Sequence, residues 1–193
     1  MAYQMPQGMS IARLQALAEA GKDHRHWYTL AREDIVDVSA LKGWEPNIFI
    51  DVLALTSPRT SVRRNIRVAM SYMHDKQLPT DVIRSTHAAL KHWEETGVIR
   101  GRKTSKFAMA LKGNMNAIVL DTWMAVAMQI DQPLFTRRWV ERYAQEQVRF
   151  IADLLGVMPA EAQAMIWAGT VREVGRNVPD LVVSDELTYK MEI

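Results

Sequence analysis

The 193-residue sequence predicts an all-α fold. Three observations point that way. Apolar residues recur at helical spacing in nearly every segment. Pro, Gly and short polar residues punctuate the chain where helices would start and stop. A strand pattern occurs only at Leu181–Val183, and it is weak.

The elements follow in order. Ile11, Leu14, Leu17 and Ala18 share a helical face between Ser10, a candidate N-cap, and Gly21, a stop. Tyr28 to Leu41 is a mixed helical segment closed by Lys42-Gly43. Pro46 suits a first helical turn, and Ile48 to Leu55 is a short, strongly apolar helix ending before Ser57-Pro58. Ser61 to Met73 is a basic amphipathic helix with Val62, Ile66, Ala69 and Met73 on its buried stripe. Pro79-Thr80 is expected to open a helix that runs to about Glu95, and Thr96-Gly97 to end it. Thr104 to Leu111 is a short helix stopped by Lys112-Gly113-Asn114. Asp121 is the N-cap expected for the next helix, which Pro133 follows. Thr136 is expected to cap a long helix to about Leu155, stopped by Gly156, and Pro159 to start a last one reaching about Val174. These elements suggest one compact helical domain over 1–193, with a core at 46–131, an additional helical pair at 136–176 and a tail at 179–193. The six Trp and most of the 12 Met lie on apolar stripes, where core packing is the default role.

Composition excludes several classes. With no Cys, the chain has no disulfide, thiolate metal site or cysteine nucleophile. The five His show no helical metal-pair spacing; His87 and His92 are five apart rather than four, so no metal or other cofactor is expected. No stretch approaches the roughly 18 apolar residues of a membrane span, and Met1 to Ser10 lacks the pattern of a secretory signal. A cytoplasmic, monomeric protein with no membrane partner is the expectation.

Charge is informative only when split by position. Val52 to His74 contains no acid and carries Arg59, Arg63, Arg64 and Arg67. Thr96 to Leu120 contains none either and carries Arg100, Arg102, Lys103, Lys106 and Lys112. The two windows hold +9; the whole chain is +2, so the remainder is −7. One basic face with an acidic back suits nucleic-acid binding.

The second window has a further feature. Arg100-Gly101-Arg102 is a tight turn leading into a helix N-terminus. Exposed N–H groups, the helix dipole and flanking cations there favour an anion, and Gly101 lets a phosphate approach the backbone.

This region resembles the helix–hairpin–helix DNA glycosylase superfamily, in particular its endonuclease-III-like branch. Gly101-Arg102-Lys103-Thr104 is similar to the second half of that family's hairpin, and Leu120-Asp121-Thr122 to the context of its catalytic Asp, with 18 positions between Lys103 and Asp121. Leu55-Thr56-Ser57 and Thr60 to Asn65 resemble its upstream segment. The chain departs from the pattern at Ile99, which replaces the first hairpin glycine, at Pro58-Arg59, and at Trp123, where many members have His. A compact, divergent, phage-encoded member would have these properties.

The resemblance implies a two-lobed helical glycosylase-like fold and a DNA glycosylase, with an AP-lyase step in its bifunctional form, that acts on a nucleotide flipped out of double-stranded DNA. Lys103 would be the nucleophile; it attacks only as the neutral amine, a form that the neighbouring cations and a helix N-terminus favour. Asp121 would stabilise the developing charge on the sugar or activate the amine or water. Arg59, Ser61, Arg63, Arg64, Arg100, Gly101, Arg102, Thr104 and Lys106 would bind DNA, and Ser57 and Trp123 would border the base pocket. Two alternatives keep the same fold: a phage-type transferase that modifies bases, and a non-catalytic DNA-binding module. Taken singly, Asp121 is an N-cap and Lys103 a surface lysine. His24-Arg25-His26-Trp27 has a surface reading, with nucleic acid as the alternative.

Overall fold

A computed structural model describes residues 10–188. Among these residues there are ten α-helices and no strand: α1 (Ile11–Ala20), α2 (Trp27–Lys42), α3 (Pro46–Thr56), α4 (Val62–Asp75), α5 (Arg84–Thr96), α6 (Arg102–Leu111), α7 (Thr122–Ala127), α8 (Arg138–Leu155), α9 (Pro159–Glu173) and α10 (Asp185–Thr188). The all-α expectation holds. No helix among the described residues is long and apolar enough to cross a membrane.

Local chemistry fixes most of the helix ends. The hydroxyls of Ser10 and Ser61 and the carboxylate of Asp121 each accept a first-turn N–H, from Arg13, Arg64 and Met124 respectively. Gly97 and Gly156 end α5 and α8 in the left-handed conformation that glycine adopts freely. Three expectations are corrected. Pro79-Thr80 does not open α5: Val82 N–H closes a turn on the Pro79 carbonyl, and the helix starts at Arg84 after Ile83. Thr136 does not cap α8, because its hydroxyl donates to the Pro133 carbonyl within the 3-10 turn Gln132–Thr136, and α8 starts at Arg138. Leu181–Val183 is not a strand: the Val183 and Ser184 N–H groups donate to the Asp34 carboxylate instead of to a partner strand.

The described residues divide into two compact units, one formed by 10–27 with 114–178 and the other by 28–113 with 179–188.

In the first unit α9 packs on α1, α7 and α8. Its core includes Leu14, Leu17, Met124, Met128, Val148, Ile151 and Ile166. The α1–α9 contact is a backbone approach. A Cβ on Gly169 would stand 2.0 Å from the Leu17 carbonyl oxygen, and one on Gly21 would stand 2.1 Å from that of Met165. Ion pairs tie the ends of the same helices: Arg13 with Glu173, and Arg172 with Asp23. Arg25 pairs with Glu161, whose carboxylate also accepts the Met158 N–H at the start of α9.

In the second unit α3 is buried nearly all round and contacts α4, α5 and α6. A polar link joins α3 to α4. Asn65 Nδ2 donates to the Leu53 carbonyl at 2.9 Å, and the Thr56 hydroxyl lies 2.7 Å from Asn65 Oδ1. Tyr28 of α2 meets Phe107 of α6 edge to face.

Candidate nucleic-acid interface

The second unit carries most of the expected site. Helices α5 and α6 are consecutive, joined by the turn Gly97 to Gly101 (the hairpin turn), and each packs on α3. Both terminal glycines have positive φ, +70° at Gly97 and +102° at Gly101. Gly97 closes α5, with its N–H on the Trp93 carbonyl. Gly101 immediately precedes α6, and a Cβ there would meet Thr104 Oγ1 at 2.7 Å. That hydroxyl is already engaged, donating to the Arg100 carbonyl at 2.8 Å and lying 3.0 Å from that of Gly101. Thr104 therefore fixes the turn from inside, and its side chain is buried. No side chain caps the N-terminus of α6. Gly97 ends α5 as the sequence leads one to expect, and so begins the turn.

Thr104, Phe107, Ala108 and Leu111 face the core. Arg100 and Arg102 are exposed, and Lys103 and Lys106 are half-buried on the flank of α6. No ion pair among the described residues engages Arg100, Lys103 or Lys106.

The first basic window behaves differently. Arg63 Nε lies 2.6 Å from Glu186 Oε1 and Arg67 Nε 2.5 Å from Glu186 Oε2. Arg64 pairs with Asp81 at 2.5 Å, and in the second window Lys112 pairs with Asp51 at 2.5 Å. The acid-free windows are acid-free only in sequence; among the described residues, folding supplies at least Arg63, Arg64, Arg67 and Lys112 with carboxylates from other segments. Burial by itself would raise the Glu186 pKa, but Arg67 and Arg63 outweigh it and hold the group below the ordinary carboxylate range. An open groove of about 310 Å³ runs along α4, lined by Ser61, Arg63, Arg64, Arg67, Val68 and Pro79.

Arg59 is the exception in its window. It is exposed, has no ion pair among the described residues, and holds φ +57° in the turn before α4. Lys76 and Gln129 hold the same left-handed backbone, so this conformation marks a turn rather than a site.

The remaining assignments have structural duties. Ser61 Oγ caps α4. Ser57 Oγ donates to the Ala54 carbonyl at 2.9 Å. Asp121, in the first unit, caps α7 through Oδ1, which accepts the Met124 N–H at 3.0 Å. Trp123, also in the first unit, lies beneath the Arg176 guanidinium at 5.5 Å. In the 24–27 segment Arg25 and His26 both face Glu161, and His24 faces Asp23, which favours the structural role there.

Residues 9–173 match the model of a family described as a family of unknown function (DUF7178). The chain belongs to the DUF7178 family. Comparisons with curated proteins and with solved structures return no match. The span shared with the DUF7178 family includes the whole α5–α6 hairpin, Lys103 and Asp121.

Proposed function

We propose that this DUF7178 protein binds duplex DNA through the α5–α6 hairpin and acts as a helix–hairpin–helix-type DNA glycosylase with Lys103 as its nucleophile. The observation that carries the reading is the hairpin. Its two positive-φ glycines shape a turn that ends on an uncapped helix N-terminus, and Arg100, Lys103 and Lys106 stand around it without ion pairs. Backbone N–H groups, dipole and cations converge there as a phosphodiester requires.

Lys103 lies on the first turn of α6, directly after the same turn. The neutral amine attacks C1′ of the flipped nucleotide. The glycosidic C–N bond breaks, and its electron pair leaves with the base, which takes up a proton. The lysine nitrogen gives up one proton, its lone pair forms the C1′=N⁺ bond as the C1′–O4′ bond breaks, and O4′ takes a proton from water, so the sugar ring opens to an iminium. Loss of the C2′ proton then expels the 3′ phosphate in the lyase step. Asp121 keeps the role the resemblance implies, and Asp121→Asn tests that role separately from Lys103.

Two measurements test the reading. Duplex binding should weaken with a steep salt dependence, and Arg100→Ala with Lys106→Ala should reduce the slope by about two, at roughly 0.9 per phosphate contact. Release of free base from a panel of modified duplexes should be lost in Lys103→Ala. Tight, salt-sensitive binding without base release from any duplex would leave the non-catalytic DNA-binding module.

A further inference from the structure

The charge on α4 has an unusual balance. Glu186 is 3% exposed, whereas its two partners, Arg63 and Arg67, are 66% and 44% exposed. The carboxylate depends on the arginines, since a buried charge without a counterion is costly. The arginines depend on it far less, because each already contacts water. The two guanidiniums stand one helical turn apart, at i and i+4, and their Nε atoms converge on this one carboxylate.

The residues that bring Glu186 to this point form a strap. Leu181 and Val183 are buried, and the Asp34 carboxylate of α2 takes the Val183 and Ser184 N–H groups, the latter at 3.1 Å. The helical turn α10 follows and sets one Glu186 oxygen on each guanidinium. Two oxygens of one anion, each held by an Arg Nε, is also how such a pair takes two non-bridging oxygens of a phosphate. The groove beside it is lined by Ser61 and the third arginine, Arg64.

We propose that Arg63 and Arg67 form a phosphodiester site that Glu186 occupies as an internal stand-in, so that the 181–186 strap competes with DNA for α4. This rests on the DNA-binding reading above. DNA displaces the carboxylate, adding one phosphate contact to those of the hairpin; the strap therefore weakens binding and favours the partner able to displace it.

The test is duplex DNA affinity of the full chain as a function of KCl. Glu186→Gln empties the site of charge, and Asp34→Ala releases the strap without altering α4. Both should tighten binding by about ten-fold at low salt, and Glu186→Gln should steepen the salt slope by about one. Adding Arg63→Ala and Arg67→Ala to Glu186→Gln should abolish the gain. Melting curves report folding, and if Glu186→Gln does not fold, Asp34→Ala decides. Unchanged affinity in the folded variants, with wild-type binding intact, overturns the strap and leaves the DNA reading standing. So does a gain that survives loss of both arginines. If no form binds duplex DNA at low salt, both readings fall.

Discussion

At the scale of single residues, backbone conformation separates positions that shape the site from those that only decorate it. Gly101 combines φ +102° with no room for a Cβ beside Thr104. Gly101→Ala should destabilise the protein by about 1–3 kcal/mol in urea unfolding and weaken DNA binding more than its surface position suggests. Arg59 is the mirror case. Its left-handed backbone disfavours any side chain, so Arg59→Gly should leave stability equal or higher, while the DNA salt slope falls by about one. A loss of stability with unchanged DNA affinity would assign Arg59 a structural role instead. Asn65 shows how a residue in a segment that resembles the glycosylase pattern earns its place by folding. It joins α3 to α4, and Asn65→Ala should cost about 2 kcal/mol by stranding buried partners.

Among the elements, α9 is the most constrained. Gly169 lets it touch the backbone of α1, so Gly169→Ala should cost about 3 kcal/mol and lower the melting temperature sharply. Around these helix ends the carboxylates set a pH dependence. Arg172 holds Asp23 well below the ordinary carboxylate range, and Arg13 does the same for Glu173. For Glu161, burial acts upward but Arg25 and the Met158 N–H outweigh it. These groups have folded pKa values below their unfolded ones, near about 4. The unfolded chain therefore binds protons first as pH falls. The stabilisation is complete above about pH 5 and is lost as pH drops through the folded values, so melting temperature should decline from pH 5 to pH 3. Helix content and most caps were legible because they depend on residues within one turn of each other: Ser10, Ser61, Asp121 and Gly156 each act on their own helix. The starts of α5 and α8 were not. At Pro79 and Thr136 the signal residue is consumed by a local turn, and the helix follows a few residues later.

For the whole molecule, the decisive quantity is where charge lies after folding. The hairpin cations were legible, since Gly101 and its neighbours are contiguous. The neutralisation of Arg63, Arg64, Arg67 and Lys112 was not, because Glu186, Asp81 and Asp51 arrive from segments outside the basic windows. Under the proposed function, Arg59, Arg100, Lys103 and Lys106, which have no ion pair among the described residues, are where duplex DNA should dock. The most direct test of the catalytic assignment is borohydride trapping on a panel of duplexes with modified bases. A covalent protein–DNA adduct that forms with at least one duplex and vanishes in Lys103→Ala is the predicted result. No adduct with any duplex, or one that persists in Lys103→Ala, would contradict it.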